Sequence, residues 1–241
     1  MYNMLIIDDN IFFVKKLVNI IGNSIKNIRI YSIATNGFEA RTMLQKKDID
    51  IVLLDLKMPN INGLEILNSL SEEQKEQYKS SIILVSGELE LILKARTNST
   101  VYGYITKTSN ISNLIDKLND IIEEKNKDIK EKELVKQIVN EVQFLGYNLS
   151  YKGTTYLIET IIYMKKNMNN NYENLSKSIY PILAKKYKKS ITNIKCNISK
   201  ATDIMYYECE RNKLNEYFKF NSDCKPKPKL VINTIANKII I

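Results

Sequence analysis

The sequence predicts an α/β domain on a doubly wound, five-stranded parallel sheet, followed by an all-α domain that carries a helix-turn-helix. Three observations lead there. Five short apolar runs alternate with helical patterns over roughly the first half of the 241 residues. Beyond that half, strand-like alternation stops and 3.6-residue periodicity takes over. The excess positive charge is also confined to the second half: residues 1–120 hold 14 basic and 14 acidic residues, 121–140 hold 5 of each, and 141–241 hold 17 against 8, so the whole net charge of +9 lies there.

The first apolar run, Met4–Ile7, reads as a strand, and Asp9 or Asn10 can cap a helix whose stripe is Ile11, Val14, Val18 and Ile21. Ile28–Ile33 is the second strand and Gly37–Leu44 the second helix. Ile51–Leu54 runs into Asp55; Met58-Pro59 and Gly63 punctuate a loop before a helix over Leu64–Leu70. Ile82–Val85 leads to Ser86 and a helix over Glu88–Arg96, and Val101–Thr106 leads to Lys107. Ser109 or Asn110 caps a last helix bearing Ile111, Leu114, Ile115, Leu118 and Ile122. Continuous apolar runs between helices are the signature of parallel strands covered on both faces. The domain is placed at 1–122, a Glu- and Lys-dense helical linker at 123–140, and the all-α domain at 141–241.

In the all-α domain the periodicity gives helices near Leu134–Leu145 with Gly146 as C-cap, Thr154–Met168, Tyr172–Ile179, Pro181–Tyr187, Ile191–Tyr207, Leu214–Phe218 and Leu230–Ile240. Asn167–Asn171 reads as a loop and Lys225-Pro-Lys-Pro-Lys as an extended connector. No apolar run approaches the roughly 20 residues of a membrane span, so no membrane role is expected. Cys196, Cys209 and Cys224 are odd in number and lack C-x-x-C spacing, which suits a reduced cytoplasm. The chain has no His, which excludes imidazole acid–base catalysis and His-ligated metal sites.

Asp8, Asp9, Asp55, Ser86 and Lys107 all sit at or just after strand ends, and ligands of open parallel sheets bind beyond the carboxyl ends of the strands. Three acids, a hydroxyl and an amine at one edge can hold a divalent ion and a phosphoryl group together. Mg²⁺ wants oxygen ligands; Asp8, Asp9, Asp55 and the backbone of Lys57, in the loop after Asp55, are the candidates. Clustered carboxylates repel by roughly 4 kcal/mol per pair at 4 Å and an effective dielectric near 20, which a divalent cation relieves. Asp55 would then be the nucleophile in phosphoryl transfer, with Lys107 and Ser86 on the phosphoryl oxygens.

In the second half, Ile191, Ile194, Ile198, Ala201 and Met205 fall within an arc of about 80° at 100° per residue. The opposite face presents Thr192, Asn193, Cys196, Ser199, Lys200 and Asp203, with Lys195 on a flank. The turn Lys188-Lys189-Ser190 is short, and Ser190 can cap the second helix. Two readings fit: plain members of a helical bundle, or a helix-turn-helix with Ile191–Tyr207 in the major groove and Lys185, Lys186, Lys188 and Lys189 near phosphates.

Residues 1–122 resemble the receiver domain of bacterial two-component response regulators. The stretches that carry the likeness are Leu5-Ile-Ile-Asp-Asp-Asn10, Ile51-Val-Leu-Leu-Asp-Leu-Lys-Met-Pro-Asn60 with Gly63, Ser86-Gly87 and Tyr104-Ile-Thr-Lys107. The resemblance implies Asp55 as phosphoacceptor, Asp8 and Asp9 as metal-binding acids, Ser86 and Lys107 as phosphoryl ligands, and Tyr104 as a switch aromatic. A plain core-edge role for Tyr104 stays open. Two positions depart from the family pattern: Thr108 replaces the usual cis-proline, and Thr100-Val101 replaces Gly-Ala. A non-proline cis bond costs about 2.5–4 kcal/mol, so this loop is expected to differ.

Residues 146–241 resemble the DNA-binding domain of the stage-zero sporulation protein A family, through Tyr151-Lys-Gly-Thr-Thr-Tyr-Leu157, Tyr180-Pro-Ile-Leu-Ala-Lys-Lys-Tyr187, the segment Ala201 to Asn212, and Lys225-Pro-Lys-Pro. That resemblance implies a phosphorylation-controlled transcription factor. Its expected partners are promoter DNA, a histidine kinase or phosphotransfer protein, RNA polymerase, and a second copy on phosphorylation. The expected DNA-facing set is Lys188, Lys189, Ser190, Thr192, Asn193, Lys195, Cys196, Ser199 and Lys200. The family's recognition helix is rich in Arg where this chain has Asn193, Lys195, Cys196 and Ser199. Losing a bidentate Arg–guanine contact forfeits about 1–3 kcal/mol of discrimination, so a divergent paralogue with its own target is expected. The competing expectation is a phosphate-independent dimerisation protein or phosphate sink. A catalytic output domain is disfavoured by the lack of His, P-loop or paired-carboxylate motifs.

Overall fold

The computed structural model describes residues 1–79, 81–167, 174–219 and 225–240. These form two units, Met1–Asn126 and Lys127–Ile241. In the first, β1 (Tyr2–Ile7), β2 (Ile28–Ala34), β3 (Ile51–Asp55), β4 (Ile82–Ser86) and β5 (Val101–Thr106) make one sheet of order β2-β1-β3-β4-β5. Every pairing is parallel. The connections are α1 (Ile11–Ser24), α2 (Gly37–Leu44), α3 (Gly63–Asn68), α4 (Glu72–Gln77) and α5 (Leu89–Ala95), and α6 (Ser112–Phe144) follows β5.

Strand residues alternate between two cores because successive side chains point to opposite faces. Leu5, Ile7, Val52, Leu54, Ile82 and Leu84 pack with Ala40, Leu44, Ile66, Leu67 and Ile92 from α2, α3 and α5. Met4, Ile6, Ile51, Leu53, Ile83 and Val85 pack with Val14, Leu17 and Ile21 of α1 and Leu114, Leu118 and Ile121 of α6. The strand order reverses between β1 and β3, so the crevice of a doubly wound sheet opens at Asp8, Asp9 and Asp55.

Asn10 is the cap of α1, accepting from Phe13 N–H, and Asn110 accepts from Ser112 N–H before α6. One helix departs from the sequence reading. The helix read over Leu64–Leu70 stops at Asn68, and α4 follows on a capping box of Ser71 and Gln74. Buried Tyr78 then donates to the Leu44 carbonyl at 3.1 Å, anchoring α4 to the end of α2.

The second unit begins inside α6. Residues 123–140, read as a linker, are unbroken helix, and Leu134, Ile138 and Val142 belong to the core of the second unit. Gly146 at φ 86° ends the helix in a left-handed turn closed by Tyr147 N–H to the Val142 carbonyl at 3.2 Å. Then come α7 (Lys152–Lys166), α8 (Leu175–Ser178), α9 (Tyr180–Tyr187), α10 (Ile191–Glu208), α11 (Arg211–Phe218) and α12 (Pro228–Lys238). The connector read over Lys225 to Lys229 is therefore shorter, because Pro228 already occupies the first helical position. Residues 168–171 of the expected Asn-rich loop, Tyr172 and Cys224 lie outside the described residues.

α7 crosses α10 at closest range at Gly153, where a Cβ would meet the Asn197 carbonyl oxygen at 2.0 Å. Among the described residues no helix is long and apolar enough to cross a membrane.

Candidate functional site: an acidic cleft and an exposed helix

At the carboxyl edge of the sheet, Asp8 and Asp55 are buried and Asp9 is exposed; one carboxylate oxygen of each lies within 4.8 Å of the others. Asp8 Oδ1 accepts from Asn10 N–H at 2.9 Å, and Asp55 Oδ1 from Lys57 N–H at 3.1 Å. Lys107 Nζ donates to Asp55 Oδ2 at 2.7 Å and stands 2.8 Å from Asp8 Oδ2. Asp8 Oδ2 is buried, and the Lys107 ammonium is its partner. The ring of Phe13 backs the same ammonium, 5.1 Å from its centroid.

Burial pushes the Asp55 carboxyl above its ordinary pKa, and the negative charge of Asp8 adds to this; hydrogen bonds from Lys107 and Lys57 N–H oppose without cancelling it. For Lys107, burial alone would lower the pKa, but its contacts with Asp55 and Asp8 outweigh that and raise it. One ammonium faces three carboxylates. Three carboxylate oxygens converging within 4.8 Å, with a single ammonium to offset them, fit a hard divalent cation.

Ser86 is fully buried, its Oγ accepting from Glu88 N–H at 3.2 Å, while its carbonyl accepts from Lys107 N–H at 3.0 Å. The cleft is lined by Asp9, Asp55, Lys57, Met58, Gly87 and Lys107, among others. Lys57 ion-pairs with Glu88 across it. Gly63 is required behind it, since a Cβ there would lie 2.3 Å from the Asp55 carbonyl oxygen. Tyr104 is not brought to the cleft: it is 39% exposed on the edge strand β5, beside Arg96, Gly103 and Lys117. No described peptide bond is cis, so the Lys107–Thr108 bond is trans.

In the second unit, Lys188 takes φ 52° at the end of α9, and Lys189 N–H reaches back to the Ala184 carbonyl at 2.9 Å. Ser190 then caps α10 by accepting from Asn193 N–H at 3.1 Å. Lys188, Lys189, Ser190, Thr192, Asn193, Lys195, Cys196 and Lys200 are exposed; Ser199 is half-buried. Opposite them Ile194, Ile198, Ala201 and Met205 are buried.

Three details correct the sequence reading. Ile191, placed in the buried arc, is 37% exposed. Thr202, just outside the arc, is buried and bonded to Tyr147 Oη at 3.0 Å and to the Ile198 carbonyl at 2.9 Å. Lys186, counted among phosphate-facing lysines, pairs with Glu159 at 2.7 Å, which also accepts from Tyr187 Oη. Sequence reasoning missed Asn197, whose amide binds the carbonyl of Asn193 at 2.8 Å and its Oδ1 at 3.1 Å. Their i,i+4 spacing was the available signal.

Comparison with known proteins finds the response regulator receiver domain over residues 4–119 and the sporulation initiation factor Spo0A C-terminal domain over residues 135–239. Among solved structures, the chemotaxis protein CheY4 of Vibrio cholerae is 22% identical with a TM-score of 0.42, covering 50% of this chain and 98% of its own. A signal receiver domain of a DNA-binding response regulator from Colwellia psychrerythraea 34H is 23% identical with a TM-score of 0.45, covering 51% and 99%. A DNA-binding response regulator of the LuxR family from Staphylococcus aureus is 24% identical with a TM-score of 0.44, covering 50% and 98%.

Proposed function

Because this chain belongs to the response regulators that join a receiver to a Spo0A-type C-terminal domain, we propose that Asp55 accepts a phosphoryl group and that this controls promoter binding through α10. The observation that carries the reading is the convergence of Asp8, Asp9, Asp55 and Lys107 at the strand ends. Asp8, Asp9 and the backbone of Lys57 would hold Mg²⁺, which supplies charge neutralisation on the phosphoryl oxygens when bound.

Asp55 attacks phosphorus as the P–N bond of a phosphohistidine donor breaks, and the leaving imidazole takes up a proton. The donor is a histidine kinase or a histidine phosphotransfer protein. Lys107, already 2.7 Å from Asp55, follows the new negative charge, and the Ser86 hydroxyl donates to it. Tyr104 on the open β5 edge is the aromatic whose position would change. The chain would act in the cytoplasm as a regulator rather than an enzyme, forming a homodimer on phosphorylation and presenting RNA polymerase to sporulation-related or associated genes.

On DNA, Lys188 and Lys189 meet phosphates, Ser190 and Thr192 the backbone near the helix start, and Asn193, Lys195, Cys196, Ser199 and Lys200 the groove. The tie between Asn193 Oδ1 and Asn197 favours a second reading, in which base reading is weak and the chain serves as a phosphate sink or dimerisation protein.

The test has two arms. Incubation with a phosphodonor should add one phosphoryl mass to the wild type and none to Asp55→Asn; equal modification of both would refute the phosphoacceptor. Selection from random duplexes should then enrich one motif, whereas only salt-sensitive, sequence-blind binding would favour the second reading.

A further inference from the structure

The exposed stripe of α10 contains one acid. At 100° per residue Asp203 projects within about 20° of Thr192, so it continues the line of Thr192, Cys196 and Ser199 towards the helix C-terminus. An uncompensated carboxylate on a surface that meets phosphates would oppose binding. It is compensated here from 22 residues away in sequence: Lys225 Nζ stands 2.7 Å from Asp203 Oδ1, an oxygen with no solvent access.

That pair fixes the start of the 225–227 connector against α10. Pro226 is buried while Lys225 and Lys227 on either side are exposed, so the connector is pinned by its proline, with the Lys225 amine turned to Asp203 and Lys227 left to solvent. Pro226 and Pro228 set the backbone dihedrals around Lys227 and limit the freedom it loses on binding. Two residues span at most about 7 Å, so the Lys227 backbone stays beside the far end of the stripe. The Lys227 carbonyl accepts from Leu230 N–H at 2.9 Å and Val231 N–H at 3.2 Å, while among the described residues its side chain has no ion pair or hydrogen bond.

We propose that residues 225–227 form a second contact with the DNA sugar-phosphate backbone. Lys225 masks Asp203 on the recognition stripe, and Lys227 meets a phosphate on the groove wall. This rests on the DNA-binding reading above and adds to it a contact outside the helix-turn-helix. It carries no sequence information, because a lysine on a phosphate positions the protein without reading bases.

The experiment is a salt titration of the full chain on a random-sequence duplex, followed by fluorescence anisotropy, for wild type, Lys227→Gln, Lys225→Gln and the double variant Asp203→Asn/Lys225→Gln. Loss of one phosphate contact lowers the magnitude of the log–log salt slope by about 0.9, which is roughly 3.5-fold less salt sensitivity between 50 and 200 mM. Lys227→Gln should show this drop with an unchanged unfolding midpoint. Lys225→Gln should bind more weakly, and adding Asp203→Asn should restore much of the loss. An unchanged slope for Lys227→Gln, or a double variant no better than Lys225→Gln alone, overturns the proposal while leaving wild-type DNA binding intact. A wild type that binds no duplex overturns the DNA-binding reading and this proposal together.

Discussion

Replacing Gly153 with Ala should damage the second unit while sparing the first. The added Cβ would stand 2.0 Å from the Asn197 carbonyl oxygen, 2.6 Å from its carbon and 2.9 Å from the Ala201 Cβ. Two of these are backbone atoms of α10 and cannot rotate away, so the helices must part by more than about 1 Å to restore ordinary contact. Overpacking of this kind costs about 1–3 kcal/mol. A 2.0 Å contact with backbone belongs at the upper end of that range, and alanine returns up to about 1 kcal/mol of helix propensity, leaving a net loss of about 2 kcal/mol. With a urea dependence of about 2 kcal/mol per molar for a domain of this size, the midpoint of the second transition should fall by roughly 1 M. Far-UV circular dichroism in urea measures it. Gly22 in α1 is the control, since a Cβ there meets nothing within 4 Å; Gly22→Ala should hold or raise stability by up to about 1 kcal/mol. A Gly153→Ala midpoint equal to or above wild type would refute the close-crossing argument. Because Asn197 also holds Asn193, the same variant should lose DNA affinity, with phosphoryl uptake on Asp55 unchanged.

Two further outcomes follow from single side chains. Ser190→Ala removes the bond that caps α10 and should cost about 0.5–2 kcal/mol in the second unit, read as a lower urea midpoint and weaker duplex binding; an unchanged midpoint would mean the cap is satisfied otherwise. In metal-free buffer Asp55→Asn should stabilise the receiver near neutrality. Burial raises the folded-state pKa of Asp55, so the wild type keeps its full stability below the unfolded value near 3.9 and loses some as pH rises through the folded value. The gap between variant and wild type should therefore open with rising pH, and a gap that widens towards acid would contradict the assigned burial.

Much of the receiver was legible because its signals are local. Strands buried on both faces must be continuously apolar, and parallel strands must all end at one edge, so residues after each run had to share it. The strand ends bring Asp8, Asp9 and Asp55 together there, with Lys107 2.8 Å from Asp8 and 2.7 Å from Asp55. The helix α4 was missed although Ser71 and Gln74 have capping-box spacing, because it has no buried residue and so no apolar stripe to announce it. The helical linker and the helix read over Leu134–Leu145 form one continuous α6, whose apolar positions Leu134, Ile138 and Val142 join the second core.

The alternation of elements, the strand-end chemistry, the cap at Ser190 and the inward side of α10 all follow from local patterns of residues. Tertiary structure decided what covers each turn. Ile191 and Thr202 lie within about 20° of each other around α10, yet one is 37% exposed and the other fully buried. Periodicity reports angle around a helix, whereas burial also depends on where along its length a neighbour crosses. α7 crosses at Asn197 and Ala201, beyond the first turn. The ion pairs of Lys107 with Asp55 and of Lys225 with Asp203 likewise join residues far apart in sequence, and only the packing of the elements between them brings those charges within reach.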